Sequence, residues 1–199
     1  MNESRNAITG GILAGGKASR FDNTDKAFVL LDGKPLIEHV IHRLAPQVRE
    51  LLISANRHAD QYHRWGIPVF PDAPTSPPGP LAGIARLLEQ TQTEYLLVTP
   101  CDLPFLPQEL GTRLFAALRQ HQRPAAVAHD GRRQQHLCLL LHQDLHKALH
   151  RFLATGDRAV HRWLAEVQPA QAVFPDSGHA FTNINTPSDL QQAQCSAQR

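Results

Sequence analysis

Short continuous apolar runs and stretches with helical spacing follow one another along this chain. Apolar runs bounded by glycine, proline or polar clusters read as buried strands, whereas apolar positions three and four apart mark one face of a helix. On that basis "AITGGILAG" predicts a short buried strand running into a glycine turn, and "FVLLDGKP" a brief apolar run and a turn. "PLIEHVIHRLAPQV" predicts a helix, from the spacing of Leu36, Val40, Ile41 and Leu44, with Pro35 suited to its start. "ELLISAN" predicts a second strand, "HADQYHRWG" a short helix stopped by Gly66, and "IPVFPD" a third strand. After the Pro/Gly loop "APTSPPGPLAG" come a helix in "PLAGIARLLEQT" and a strand in "EYLLVTPCDLPF" that ends in Asp102. "PQELGTRLFAALRQH" and "DLHKALHRFLATG" predict helices, with strands in "PAAVAHD" and "HLCLLLH" between them.

The order β-α-β-α-β-α predicts an α/β fold: an open, mostly parallel sheet flanked by helices. Ligands of such sheets bind beyond the carboxyl ends of the strands, where the strand order reverses. Residues 15–26, Ser54 to Arg57, Asp72 and Asp102 each follow an apolar strand, so one rim is expected to carry them all. A length of 199 residues fits one domain over 1–199, and no internal repeat or low-complexity segment divides it.

Composition narrows the partners. Apolar residues make up 42% and charged residues 19%, as in a soluble globular protein. A net charge of +2, without a block of Lys or Arg, argues against a nucleic-acid partner. No apolar run is long enough to span a membrane, and the N-terminus lacks the apolar core of a secretion signal. The 3 cysteines (Cys101, Cys138, Cys195) are sparse and form no CxxC, so a cytoplasmic protein without structural zinc is expected.

The first candidate chemistry is "ITGGILAGGKASRF". Gly11 to Lys17 has P-loop spacing, but Ala18 offers no hydroxyl for a metal, and Gly10 and Gly11 fall within or before the strand. No G-x-G-x-x-G opens a helix here either. A better description is Leu13-Ala14-Gly15-Gly16, then Arg20, then Asp25-Lys26. Paired glycines let backbone N–H groups approach a polyphosphate, while Arg20 and Lys26 neutralise it. His142, His146 and His150 share a helical spacing, but no carboxylate at matching spacing joins them, so they read as a solvated stripe.

"LAGGKASRF" followed by "DK" resembles the signature of the nucleotidyltransferases, which have a Rossmann-like, three-layer α/β fold. With "LDGKPLIEHV", "SANRH", "PD", "PGPLAG", "PCDLPFLP" and "FTNINTP", in order over nearly the whole chain, it resembles the molybdenum cofactor guanylyltransferase family. The resemblance implies transfer of GMP from GTP to molybdopterin carrying molybdenum, with release of pyrophosphate. It implies Mg²⁺ on Asp102, with Lys26 and Arg20 as further catalytic residues. It implies a GTP site at Leu13, Ala14, Gly15, Gly16, Lys26 and Ser54, continued by Asn56, Asp72, Gly79, Gly83 and Asp102. Asn183 and Asn185 offer amides for metal or pterin. Partners are expected among molybdenum-insertion proteins, molybdoenzymes and their chaperones. The chain departs from the family at Ser54, where Asn is usual, and at Asp22-Asn23, where glycines are usual. Two alternatives stay open: a cytidylyl- or adenylyltransferase for another phosphorylated acceptor, and a carrier of nucleotide or molybdopterin that performs no chemistry.

Overall fold

A computed structural model of the chain describes residues 2–14, 25–73, 79–175 and 179–197. A short helix, α1 (Asn2–Asn6), leads into β1 (Ile8–Leu13), the buried strand on which the sheet is built. A hairpin of β2 (Leu30–Leu31) and β3 (Lys34–Pro35) turns on Asp32 and Gly33, whose φ values of 49° and 76° suit a two-residue turn. Then come α2 (Leu36–Leu44), β4 (Glu50–Ser54), α3 (Ala59–Tyr62) and β5 (Val69–Phe70). These are followed by α4 (Pro80–Gln90), β6 (Tyr95–Pro100), α5 (Leu110–His121), β7 (Ala125–His129) and β8 (Gln134–His142). The chain continues through α6 (Leu145–Ala154), α7 (Val160–Val167), β9 (Ala170–Val173) and α8 (Pro187–Ala197).

Seven strands form one sheet in the order β5-β4-β1-β6-β8-β7-β9. The pairs β4·β5, β1·β4, β1·β6 and β7·β9 are parallel, and only β8 runs against its neighbours β6 and β7. The mostly parallel α/β sheet expected from the alternation is therefore present. Each face carries its own apolar core. Val40 and Leu44 of α2 and Leu110 and Leu114 of α5 cover one face; Ile84 and Leu87 of α4, Leu149 of α6 and Trp163 of α7 cover the other. A smaller cluster packs Leu31 and Leu36 against Ile184 and Ala193, tying the hairpin to α8.

Gly10 and Gly11 lie inside β1, as the sequence suggested, and they set how closely the layers approach. A Cβ on Gly10 would sit 2.7 Å from Leu51 Cδ2 and 3.1 Å from both Leu44 and Val48 on the α2 face. One on Gly11 would sit 2.8 Å from Leu87 Cδ1 on the α4 face. The helix expected through Val48 ends at Leu44, and Ala45–Gln47 continue as a tighter 3₁₀ turn around Pro46, which cannot donate to the helix ladder. His142 closes β8 instead of joining His146 and His150, because α6 begins only at Leu145. None of the described helices is long and apolar enough to cross a membrane.

Candidate active site

Three strand tips are locked side by side at the carboxyl edge of the sheet. The Ala14 N–H donates to the Ser54 carbonyl at 2.8 Å, and the Cys101 N–H to the Leu13 carbonyl at 3.0 Å. Leu13 thus pairs with Ser54 on one side and Pro100 on the other. From β1 the chain builds outward to β4 and β5, then crosses back to lay β6 on the opposite side of β1. The reversal of strand order lies between β1 and β6, the position at which open α/β sheets hold ligands.

Lys26 and Asp102 meet at that reversal. The Lys26 ammonium contacts Asp102 Oδ2 and also Asn185 Oδ1. Asp102 is 9% exposed, and its Oδ1 is buried without a hydrogen-bond partner. A withdrawn carboxylate oxygen with free lone pairs, flanked by amide oxygens, is the donor chemistry that a hard divalent cation takes. Lys26 is placed by a 3₁₀ turn over Lys26–Phe28, which Asp25 caps by accepting the Ala27 N–H at 3.2 Å. Tyr62 donates its hydroxyl to both Asp25 Oδ2 and the Ala14 carbonyl at 3.3 Å. Burial holds the Asp25 carboxyl above its ordinary range. Behind the turn Phe28 packs on Tyr62 and Trp65, with ring centroids 4.8 and 6.2 Å away. Asn185 is held by α8: Asp189 Oδ2 accepts the Asn185 and Thr186 N–H groups at 2.8 Å, and Thr186 Oγ1 accepts the Asp189 N–H at 3.1 Å.

A second polar group lies beyond β4 and β5. Asn56 donates to Asp72 Oδ2 at 2.8 Å and accepts the Asp72 N–H at 2.8 Å, while Ser54 reaches Asp72 Oδ1 at 3.4 Å. Ser54, Asn56 and Asp72, which the sequence offered separately, form one connected set. Gly79 caps α4 with φ 151°, a conformation that favours glycine, ahead of Pro80. Gly83 is packed against the sheet: a Cβ there would lie 2.7 Å from Ser54 Oγ and 3.0 Å from Leu13 Cδ2. Its observed contribution is to let α4 close over Ser54. Gly15, Gly16 and Arg20 lie outside the described residues, as do Asp22 and Asn23.

On the other side of Asp102 a cavity of about 350 Å³ opens, lined by Arg133, Gln135, His136, Cys138 and Asn183 together with Asp102. It exists because β8 leaves β6 after the Val98–Leu139 pair, and because its register against β7 shifts between Val127 and Ala128. Such bulges re-aim side chains beside active sites. Asp130 anchors this corner, accepting the Arg132 and Arg133 N–H groups at 2.8 and 2.7 Å and the Gln135 amide at 2.7 Å. Sequence reading set His136 of "RRQQHLCLLL" near the acceptor without carrying a family role to it, and gave none to Arg133 or Gln135; "DGRRQQH", polar residues bordering an apolar strand, was the available signal. Cys101 is 4% exposed, and burial together with the Asp102 charge raises its thiol well above the ordinary value, so it stays protonated.

The MobA-like NTP transferase domain profile matches residues 10–172. A molybdenum cofactor guanylyltransferase of Shewanella frigidimarina is 46% identical over 181 residues, 91% of this chain and 92% of that protein. Among solved structures, the molybdopterin-guanine dinucleotide biosynthesis protein A of Archaeoglobus fulgidus superposes with a TM-score of 0.79 at 22% identity, covering 96% of this chain and 98% of that one. A 4-diphosphocytidyl-2C-methyl-D-erythritol synthase of Anaerococcus prevotii superposes with a TM-score of 0.77 at 14% identity, covering 98% and 97%, so the fold by itself does not select the base. Identity at this level over nearly the whole length does separate the groups: the chain belongs to the MobA-like NTP transferase family and, within it, to the molybdenum cofactor guanylyltransferases.

Proposed function

We propose that the rim joins GMP, taken from GTP, to the terminal phosphate of molybdenum-loaded molybdopterin, releasing pyrophosphate. The observation that carries this reading is the buried Asp102, set at the strand-order reversal between Lys26 and the cavity beneath β8, with one carboxylate oxygen unpartnered. The nucleotide lies over β5, β4 and β1, with its base or ribose at Ser54, Asn56 and Asp72 and its phosphates near Ala14 and Lys26. From β5 to β6 is three strand spacings, about 14 Å, over which an extended nucleotide can lie. Asp72, an acceptor when ionised, suits the N–H groups of guanine or the O–H groups of a ribose. Asn56 orients it through two hydrogen bonds.

Asp102, with Asn185 and Asn183 beside it, is the set we assign to Mg²⁺. When bound, the ion screens the negative charge of the phosphate oxygens. Lys26, which contacts Asp102, would meet a phosphate oxygen as a point charge. Arg133 and His136 face the acceptor phosphate from the β8 side and hold it in line with the α-phosphorus. The acceptor oxygen bonds to that phosphorus as the bond to the bridging oxygen breaks, and pyrophosphate carries the electrons away. Catalysis is by positioning and charge, with no covalent enzyme intermediate. Gly15, Gly16 and Arg20 complete the phosphate site in this reading.

The test is pyrophosphate release from GTP with molybdopterin and magnesium. Asp102→Ala abolishes turnover, and Lys26→Ala lowers both GTP affinity and rate, by about 10²-fold in rate. Arg133→Ala raises KM for molybdopterin and leaves KM for GTP unchanged. Wild-type turnover by Asp102→Ala would refute the assignment of the metal and the reacting centre.

A further inference from the structure

On the sheet face opposite α2, Glu89 of α4 and two histidines of α6 converge. His150 Nε2 lies 3.1 Å and His146 Nε2 3.7 Å from Glu89 Oε1, and the three ligand atoms all lie within 4.8 Å of one another. Both Nε2 atoms are shielded from solvent and, Glu89 apart, have no hydrogen-bond partner among the described residues. The rings stand at 70° with centroids 4.4 Å apart, so their nitrogens converge on the carboxylate and the rings do not stack. Glu89 Oε2 is separately occupied by Arg86 at 2.8 Å, which fixes the carboxylate with Oε1 toward the histidines. The spacing i, i+4 places His146 and His150 on one helix face, and the missing third ligand comes from a different helix, where no sequence spacing would reveal it.

From this convergence we propose a second metal site, at Glu89, His146 and His150, that binds a Zn²⁺-class divalent ion and clasps α4 to α6. In a tetrahedral site with bonds of about 2.0–2.1 Å the ligand atoms stand roughly 3.3 Å apart, a spacing that lies between the 3.1 and 3.7 Å seen here. Two imidazoles and one carboxylate suit zinc, nickel or cobalt and suit magnesium poorly, because imidazole is a softer donor than the oxygens magnesium demands. The site therefore differs in chemistry from the oxygen-rich Asp102 group, and its existence does not depend on the transfer reaction. Arg86 is its outer partner, holding the ligating carboxylate in orientation as such groups do. His42 and Glu38 pair at 3.8 Å on one helix face without a third ligand among the described residues, and they serve as the internal control.

Calorimetric titration of the full chain with ZnCl₂, supported by the visible d–d bands of bound Co²⁺, tests this. Wild type, Asp102→Asn and His42→Gln are each expected to take up about one equivalent of zinc at this site, with a rise in melting temperature. His150→Gln and Glu89→Gln should bind it at least roughly ten-fold more weakly, and His146→Gln/His150→Gln should lose the cobalt bands and the thermal shift. Zinc affinity within two-fold of wild type in His146→Gln/His150→Gln, or the absence of any bound equivalent in wild type, overturns the proposal. Because the wild-type titration is itself an arm, a double variant that failed to fold would still leave the proposal open to refutation.

Discussion

Lys26 and Asp102 neutralise one another in a place where neither has much water, each side chain being 13% exposed. Removing one charge strands the other. Lys26→Ala is therefore expected to lower folding stability by about 1–3 kcal/mol besides its effect on turnover, as urea unfolding at pH 7 would read. A Lys26→Ala chain as stable as wild type would mean that the pair is held apart in solution. The Asn56–Asp72 pair makes the opposite prediction, because Asn56 is exposed and its loss leaves no buried orphan. Asn56→Ala is expected to leave stability within about 0.5 kcal/mol while raising the Kd for GTP by about ten-fold, equivalent to roughly 1.4 kcal/mol. Equilibrium binding of GTP together with urea unfolding separates these two effects. Single residues were legible in the sequence where a strand tip carried them: Ser54, Asp72 and Asp102 all end or closely follow apolar runs. Arg133 was not, and His136 was legible only as a residue near the acceptor, because their placement follows from a change of register in β8 that no local pattern encodes.

Two elements bear on the site from a distance. β1 can be overlaid closely by helices on both faces only because Gly10 and Gly11 carry no side chain. Gly10→Val is expected to cost about 1–3 kcal/mol by overpacking against Leu44, Leu51 and Val48, measured by urea unfolding; an unchanged midpoint would show that α2 can retreat freely. The start of α8 holds Asn185 through the reciprocal Thr186–Asp189 bonds, so Asp189→Ala should destabilise by about 1 kcal/mol at neutral pH. The hydrogen bond from the Asn185 N–H, followed by those from Thr186, holds the Asp189 carboxyl below its ordinary range. A depressed folded-state value adds stability above the unfolded value of about 3.9, and this is lost as pH falls through the folded value. The gap between Asp189→Ala and wild type should thus close in acid, and a gap independent of pH would rule out the charged cap. The parallel core was readable from its apolar runs, and the Asp-Gly turn from its residues. β9 and α8 were not, since β9 is four residues long with every other one exposed, and α8 presents a weakly apolar face.

The sheet divides the molecule into two cores, with Trp65 packed against one and Trp163 buried in the other. If residues 1–199 form one domain, single-tryptophan variants, Trp65→Phe and Trp163→Phe, should report the same urea midpoint as the far-ultraviolet circular dichroism signal. Separate midpoints would divide the chain into two folding units. The same sheet lays three regions along one rim: the Ser54–Asn56–Asp72 set over β4 and β5, the Lys26–Asp102 pair at β1 and β6, and the cavity beneath β8, to which the proposed function assigns base, reaction and acceptor. The order of these regions follows from strand order, which the alternation of elements constrained, but the reversal of β8 that opens the cavity came only with the structure. Ser54 stands where Asn is usual in the family that the chain resembles, and it lies in the set proposed to meet the base. Pyrophosphate release, measured with magnesium and each of GTP, ATP, CTP and UTP, with and without intact molybdopterin, addresses base choice directly. The account predicts release with GTP alone and only when the pterin is present. Release with CTP or ATP in place of GTP, or no release with any of the four nucleotides, would contradict it.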